Sequence, residues 1–273
     1  MEWANEIRYL YGPKKVRDPN RRNTMLLRWI CAGFALWICS GIGAQDAEKK
    51  NSQSTDAKAT LERVSEALKK TPMVSYRAEY KVSGWVTQFV PNMEGQIVVG
   101  QQSKHKLQRY YCQLKIQKAG SSEVREFTAG CDGENFFIID PKTKTAHQDI
   151  DPGVIGADSW ATMFVMIPEF GAPDALDKLI KTAKKVEIVG EKKVGEEDCL
   201  EIRIQADDPQ DATWTVSKKD YLPRRITSVI EMGGKEASTD LMLHDFKVNP
   251  TFAKSPFELV VPEGYKKTDE FAP

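Results

Sequence analysis

Hydrophobic and polar residues follow two different periods along the chain. Over residues 55–70, apolar residues recur at the spacing of an α-helix that Ser54 or Thr55 can cap, and Pro72 ends the run. Over residues 74–82, apolar and polar residues alternate one by one, as they do in a half-buried antiparallel strand. The pattern predicts an amphipathic helix followed by a sheet.

Further segments with strand character are separated by short turns rich in Gly, Asp and Pro. Short turns join neighbouring antiparallel strands, so these segments predict a meander. The predicted strands are 93–100, 106–117, 124–129, 135–140, 145–150, 186–189, 199–205, 213–218, 223–232 and 238–248.

Two apolar stripes at helical spacing interrupt the strands. The first runs from Trp160 to Phe170, and the second, from Leu176 to Ala183, is followed by two lysines, which a helix C-terminus favours. About eleven strands, with one helix before them and a helical pair between two groups, predict a mainly β (α+β) fold. We expect a large curved antiparallel sheet, or half-open β-barrel, with a helical lid.

The first 44 residues have the order of regions that a signal peptide requires. A basic stretch precedes an apolar run of 14 residues over 29–42, and the small residues Gly43 and Ala44 follow. The run is shorter than the roughly 20 residues that span a bilayer, which favours cleavage near Ala44. Translation starts at Met1 or Met25, and a retained leader would also place the rest of the chain outside the cytoplasm. We therefore expect export to the periplasm or cell envelope.

These features divide the chain into three parts. Residues 1–44 are the N-terminal extension and signal peptide, residues 45–54 are a polar, flexible lead-in, and residues 55–273 form a single domain. The chain has 39 basic and 39 acidic residues, of which the first 44 positions hold seven and three. The remainder therefore carries a net charge of −4. That sign is opposite to the charge of a nucleic-acid-binding protein.

The motifs of common catalytic and metal sites are missing from the sequence. The three histidines, His105, His147 and His244, have no second His or Cys at metal-ligand spacing. Glycine loops for phosphate, nucleophile elbows and Cys-x-x-Cys pairs are also missing. We expect a protein that is not an enzyme and that needs no metal and no cofactor.

Removal of the leader leaves an odd number of cysteines: Cys112, Cys131 and Cys199. A hairpin about residues 119–122 places Cys112 opposite residue 129, within reach of Cys131. Exported proteins meet an oxidising compartment. We predict a Cys112–Cys131 disulfide, and the alternative is that all three cysteines are buried hydrophobic residues.

Several short segments, in this order, resemble the outer-membrane lipoprotein-sorting carriers and their relatives, a group of lipoprotein carriers, lipoprotein receptors and sigma-factor regulators. The resemblance covers roughly residues 55–265. It implies a half-open β-barrel closed by helices, with an apolar cavity that binds acyl chains. The segments are the N-terminal helix followed by Tyr76–Tyr80, then Cys131–Pro141, Val186–Gly195 leading to Cys199–Ile204, and Tyr221–Arg225.

A curved sheet with aromatic residues on its concave face is not always filled by its own helices, so we expect such a cavity here. The alternative for each aromatic residue and methionine is a place in the core. The hypothesis is a monomeric periplasmic binding or carrier protein for a lipid or lipoprotein acyl chain. The alternative is an envelope-stress sensor that binds a membrane protein. The candidate lining residues are Tyr80, Trp85, Phe89, Phe137, Trp160, Met163, Phe164, Met166 and Trp214.

Overall fold

A computed structural model describes residues 44–104, 107–151, 157–172, 174, 176–205 and 210–268. Three α-helices, one 3-10 helix and twelve strands occur in this part of the chain. The helices are α1 (Ala44–Lys70), α2 (Ala157–Val165) and α3 (Asp177–Thr182), and the 3-10 helix is Trp85–Gln88. The strands are β1 (Met73–Gly84), β2 (Asn92–Gly100), β3 (Tyr110–Gln117), β4 (Val124–Cys131), β5 (Phe136–Asp140), β6 (Thr145–Asp149), β7 (Lys185–Val194), β8 (Glu197–Gln205), β9 (Gln210–Ser217), β10 (Pro223–Met232), β11 (Lys235–Val248) and β12 (Lys266–Thr268).

Helix α1 begins about ten residues earlier than its apolar stripe. Residues 45–54, which we expected to be a flexible lead-in, are helical in the structure. Many of them are Ala, Gln, Glu and Lys, which favour a helix even without an apolar face to bury. The predicted stripe is confirmed, because Ala57, Leu61, Val64 and Leu68 are fully buried. None of the described helices is both long and apolar enough to cross a bilayer.

All twelve strands form one sheet in the order β12-β6-β5-β4-β3-β2-β1-β11-β10-β9-β8-β7. Two meanders, β1–β6 and β7–β11, are joined where β1 pairs antiparallel with β11. The short strand β12 pairs parallel with β6. Strands β12 and β7 remain as edges, so the sheet is curved but not closed into a barrel. The predicted mainly β fold is confirmed.

The helices cover one face of this sheet, which we call the helix face. Side chains directly opposite each other on neighbouring strands share a face, so a row can be followed through the strand register. One such row is apolar over seven consecutive strands. Its members, from β8 to β3, are Ile202, Trp214, Ile226, Leu241, Tyr80, Met93 and Ile116.

Helices α1 and α2 pack on different parts of the sheet. Helix α1 packs against β7 and α3, whereas α2 packs against β1 and β4. The buried hydroxyl of Tyr76 in β1 donates a hydrogen bond to the carbonyl oxygen of Val165 at the end of α2, at 2.9 Å. The backbone N–H of Gly171 donates to the carbonyl oxygen of Leu68, at 3.0 Å. These bonds attach the α2–α3 segment to both β1 and α1.

Gly130 in β4 lies under the ring of Phe137 in the adjacent strand. A Cβ atom at residue 130 would lie 2.3 Å from the Cζ atom of Phe137 and 2.8 Å from the carbonyl oxygen of Tyr110. Both distances are shorter than any real carbon contact, so a side chain at this position displaces the ring or the backbone.

Gly130→Ala is therefore expected to lower the free energy of unfolding by about 1–3 kcal/mol, measured by urea denaturation. Adding Phe137→Leu, which removes the outer ring atoms, should restore part of the loss. Gly190→Ala in β7 is the control, because its Cβ would meet nothing closer than 3.8 Å. Equal losses for the two glycine variants would contradict the packing argument.

Candidate functional site

Three of the predicted lining residues lie on the helix face, and two of them are in contact. Tyr80 and Trp214 are buried there, in the same cross-strand row. Phe164 of α2 contacts Tyr80, with 5.6 Å between the ring centroids. Burial raises the pKa of Tyr80 to about 12, although a hydrogen bond with Thr239 opposes the shift. Tyr80 is therefore an uncharged core residue that supports α2.

Phe137 lies on the opposite face of the sheet from Tyr80, so its place in the predicted lining is wrong. Strand register places Ile138, its neighbour in β5, on the face that Tyr76 occupies. Phe137 therefore points the other way, where it covers Gly130 and is almost fully buried. Both faces of this strand are apolar, which is why the alternation rule does not choose between them.

Trp85 and Phe89 lie in the turn between β1 and β2, at the edge of the helix face. Their ring centroids are 6.4 Å apart in an edge-to-face arrangement, and Phe89 is 55% exposed. The Nε1 atom of Trp85 is inaccessible to solvent, and no described residue accepts a hydrogen bond from it. Phe89 is thus the exposed apolar tip of this turn, and Trp85 is half-buried beside it.

Helix α2 and the residue that follows it, Met166, present the remaining candidates with different degrees of exposure. Met163 is 57% exposed, whereas Phe164 and Met166 are half-buried. Trp160 belongs to the helix, but its side chain lies outside the described residues. The buried hydroxyl of Tyr110 in β3 bonds to Thr162 in α2, and burial raises the pKa of Tyr110 well above its usual value. Tyrosine hydroxyls from β1 and β3 thus hold α2 in place.

Two open cavities of the described chain lie away from these residues. The larger, of about 740 Å³, is lined by polar and charged residues of β1, β11 and the β7–β8 turn, including Glu196 and Lys247, and by the ring of Phe246. The smaller, of about 370 Å³, lies between Arg109, Asp132 and Phe257. Neither is lined by any of the predicted aromatic or methionine candidates.

Arg224 organises one side of the larger cavity, although the sequence indicated only a strand start there. Its guanidinium donates to both carboxylate oxygens of Glu197, at 3.1 and 3.2 Å, and to Asp220, at 2.7 Å. It also donates to the carbonyl oxygen of Leu222 and lies 4.4 Å from the ring centroid of Phe246. With its donors taken by protein acceptors, Arg224 connects β8, β10 and β11 and is not free to bind an anion.

The charges around Arg224 change the acid-base behaviour of Glu197. Burial alone would raise the pKa of this carboxyl, but hydrogen bonds from Arg224 and Ser217 outweigh it and hold the pKa below its usual value. Burial alone would lower the pKa of Arg224, but the carboxylates of Glu197 and Asp220 outweigh this effect and raise the pKa above its usual value.

Nowhere in the described chain do three or more His, Cys, Asp or Glu side chains converge as metal ligands would.

The predicted disulfide is not formed, because Cys112, Cys131 and Cys199 are all free and buried. The predicted register is confirmed, since Cys112 lies opposite Ala129. Cys131 lies opposite Tyr110 instead, which makes it a diagonal neighbour of Cys112. Diagonal neighbours have Cβ atoms about 7 Å apart. A disulfide needs about 4 Å.

A family model described as "Predicted periplasmic protein (DUF2092)" matches residues 57–269. No match was found among curated protein sequences.

Solved structures that match this chain include LprF from Mycobacterium bovis, at 12% identity and a TM-score of 0.48, covering 76% of this chain and 99% of LprF. A chain of the MucA/MucB complex of Pseudomonas aeruginosa matches at 13% identity and a TM-score of 0.43. The match covers 75% of this chain and 61% of the matched chain. A putative outer membrane lipoprotein-sorting protein domain from Vibrio parahaemolyticus matches at 9% identity and a TM-score of 0.31, covering 75% of this chain and 97% of that domain's chain.

The three buried thiols should react slowly in the native protein. Burial raises the pKa of Cys131 to about 11 and raises that of Cys112 further, so little thiolate exists at neutral pH. We expect iodoacetamide to leave all three unmodified in the folded protein and to modify all three after unfolding without reductant. Peptide mass spectrometry reads this out, and a Cys112–Cys131 pair that reacts only after reduction would contradict it.

Arg224→Met should lower the free energy of unfolding by about 2 kcal/mol or more, because it removes charged hydrogen bonds inside the protein. The neighbouring Arg225→Met is the control, since Arg225 makes a comparable pair with Asp240 in a more exposed place. The stabilisation that Glu197 contributes to the free energy of unfolding is fully present above pH 4.5. It is lost as the pH falls through the lowered pKa of Glu197 in the folded protein. The difference between wild type and Glu197→Gln should therefore shrink in acid, and a constant difference would contradict the pairing.

Proposed function

The chain belongs to the DUF2092 family of predicted periplasmic proteins, and from that premise we propose that it is a non-catalytic binding or carrier protein for an apolar ligand. The ligand class is a lipid or the acyl chain of a lipoprotein. The observation that carries the proposal is an apolar area of the helix face that the three helices leave only partly covered.

This area lies between α2 and strand β10. Ile226 and Ile230 in β10 point to the helix face, in register with Leu241 and Ala237, and both remain half-exposed. On the other side, Phe164 of α2 and Met166, which directly follows the helix, are half-buried. Partly exposed apolar residues on one face of a sheet can provide a binding surface for an apolar ligand.

An acyl chain fits the chemistry of this area better than a polar ligand. The hydroxyls of Tyr76 and Tyr80, which lie nearby, are already bonded to Val165 and Thr239. The area therefore offers contact and exclusion of water more than new hydrogen bonds, and each buried methylene contributes about 0.8 kcal/mol. Methionine and aromatic side chains adapt to chains of different shape.

The remaining expectations belong to the same proposal. Residues 55–273 act as one monomeric domain, released by cleavage near Ala44. The family description supports the periplasmic location.

A substitution pair in β10 tests the acyl site. Ile230→Lys places a charge on the helix face, whereas Val229→Lys places the same charge on the opposite face, where Val229 is 43% exposed. We expect Ile230→Lys to weaken binding of a fluorescent fatty acid at least tenfold, because the charge must be desolvated. Val229→Lys should bind as the wild type does.

Native mass spectrometry of the gently extracted wild-type protein supplies the second measurement. Copurified lipid that is lost in Ile230→Lys would support the proposal. A protein that is repeatedly free of lipid and shows no change in tryptophan fluorescence on lipid addition would contradict the proposal. Thermal unfolding of both lysine variants separates loss of binding from loss of fold.

A protein partner is the second candidate, and the polar cavity beside Arg224 is the observation that favours it. Side chains of both signs, Glu196 and Lys247, line about 740 Å³ of open space around Phe246. Polar rims around an aromatic residue are typical of protein interfaces. Crosslinking in cells distinguishes the candidates, because a sensor should give one dominant protein and a carrier should give lipid.

A further inference from the structure

Four turns of the sheet that the structure describes in full lie at the same end of the molecule. In the sheet order β6-β5-β4-β3-β2-β1-β11-β10, neighbouring strands run in opposite directions. The turns β5–β6, β3–β4, β1–β2 and β10–β11 therefore follow one another along a single edge. We call this edge the hairpin rim, and it consists of residues 85–91, 118–123, 141–144 and 232–235.

The middle of the hairpin rim is apolar. Phe89 is 55% exposed and Met232 is 57% exposed. The two turns are adjacent, because Gly84, just before the 3-10 helix, pairs with Ala237 just after the β10–β11 turn. Isolated exposed apolar residues are ordinary, but an aromatic pair beside a methionine at the tips of adjacent turns indicates a contact surface.

The turn that carries Phe89 is held in one conformation. Val86 and Val90 are buried, and the backbone N–H groups of Phe89 and Val90 both donate to the carbonyl oxygen of Val86. The hydroxyl of Thr87 donates to the carbonyl oxygen of Gly84. Because the valines anchor the turn from inside, Phe89 projects outward at little entropic cost for binding.

The rim is also basic. Its residues include four lysines, Lys118, Lys142, Lys144 and Lys235, and one acidic residue, Glu123. Glu231 and Glu236 lie just behind the β10–β11 turn. The described turns at the other end of the sheet carry both signs, with Asp132, Glu134, Glu196 and Asp220 beside Lys104, Arg109, Lys218 and Lys219. The four rim turns thus carry more basic than acidic residues, although Asp207 and Asp208 follow in sequence between β8 and β9, which meet at the same end of the sheet. The exported part of the chain is acidic overall.

We propose that the hairpin rim docks on the surface of a bilayer that contains anionic phospholipid. Phe89 and Met232 enter the interfacial region, Trp85 follows them, and the lysines of the flanking turns contact phosphate groups. Apolar tips combined with nearby lysines match what peripheral membrane surfaces use. The lysines are spread over several turns, which favours a plane of charge over a single protein side chain.

Trp85 reports the docking directly. The protein, expressed as the full chain and purified from the periplasmic fraction, is mixed with phosphatidylcholine vesicles with and without phosphatidylglycerol, using lipids brominated in the acyl chain. Bromine quenches only tryptophans that reach the bilayer, and the difference between wild type and Trp85→Phe isolates Trp85 from the other tryptophans. We expect quenching that Trp85→Phe loses, stronger with phosphatidylglycerol and weaker at high salt.

Vesicle flotation measures the two components of the surface separately. Phe89→Ser should weaken binding about tenfold or more, because it removes a large apolar contact. The pair Lys118→Gln and Lys142→Gln should weaken binding to phosphatidylglycerol vesicles roughly twentyfold, at about fivefold per lysine. The matched control is the pair Lys218→Gln and Lys219→Gln in the β9–β10 turn at the opposite end, which removes the same charge and should change binding little.

Three outcomes would overturn the proposal. Trp85 quenching that is absent while the protein floats would place the contact elsewhere on the chain. Equal losses for the two lysine pairs would show that overall charge is responsible. Self-association that Phe89→Ser abolishes, seen by analytical ultracentrifugation without any change in vesicle binding, would assign the rim to a second copy of the chain. The docking does not depend on the acyl site, so Ile230→Lys tests that site separately.

Discussion

The hydrogen bond from the Tyr76 hydroxyl to the Val165 carbonyl is the interaction on which the arrangement of helices and sheet depends. An open sheet of twelve strands has a wide apolar face, and α2, with nine residues, is too short to hold a position there by its own helical stability. The bond is buried, so breaking it leaves two polar groups without water, at a cost of about 1–3 kcal/mol each. It places the end of α2 over β1.

Other contacts extend from this point to the rest of the domain. The ring of Tyr76 lies 6.1 Å from that of Phe246, which in turn lies 5.9 Å from Phe170 in the segment after α2. Arg224 covers the ring of Phe246 and binds the carboxylates of Glu197 and Asp220. A change at Tyr76 is therefore transmitted both to the helices and to the turns that line the larger cavity.

The two ends of the sheet have different chemistry as a result. At one end, the buried charge of Arg224 is neutralised by the partly exposed carboxylates of Glu197 and Asp220, and the cavity beside them is lined mainly by polar residues. At the other end, the hairpin rim carries lysines and an aromatic residue in conformations that the fold maintains. Between them, half-exposed apolar residues of β10 and α2 form the area that we assign to an acyl ligand. A carrier needs this combination, because it must hold an apolar ligand and also approach the membrane that supplies or receives it.

The sequence by itself determined the parts of the structure that depend on local spacing. Single-residue alternation predicted the strands, and the stripe Ala57, Leu61, Val64 and Leu68 predicted the buried side of α1, because each period reflects which side chains of one element share a face. Even the register of Cys112 against Ala129 followed from a short hairpin. The helix over residues 45–54 was not predicted, because these residues are good helix formers without an apolar stripe.

Only the tertiary structure decided which residues meet across long sequence distances. Ser83 and Ser238, 155 positions apart, are brought together by the pairing of β1 with β11, and no local pattern specifies that pairing. Phe137 belongs to a strand that is apolar on both faces, so the face of the sheet on which it lies is determined by the register of β5 with β4. The burial of Arg224 likewise depends on Glu197 and Phe246, which come from other strands. Alternation determines that a side chain faces inward, whereas the partner that it contacts there is set by strand order, which short-range periodicity does not encode.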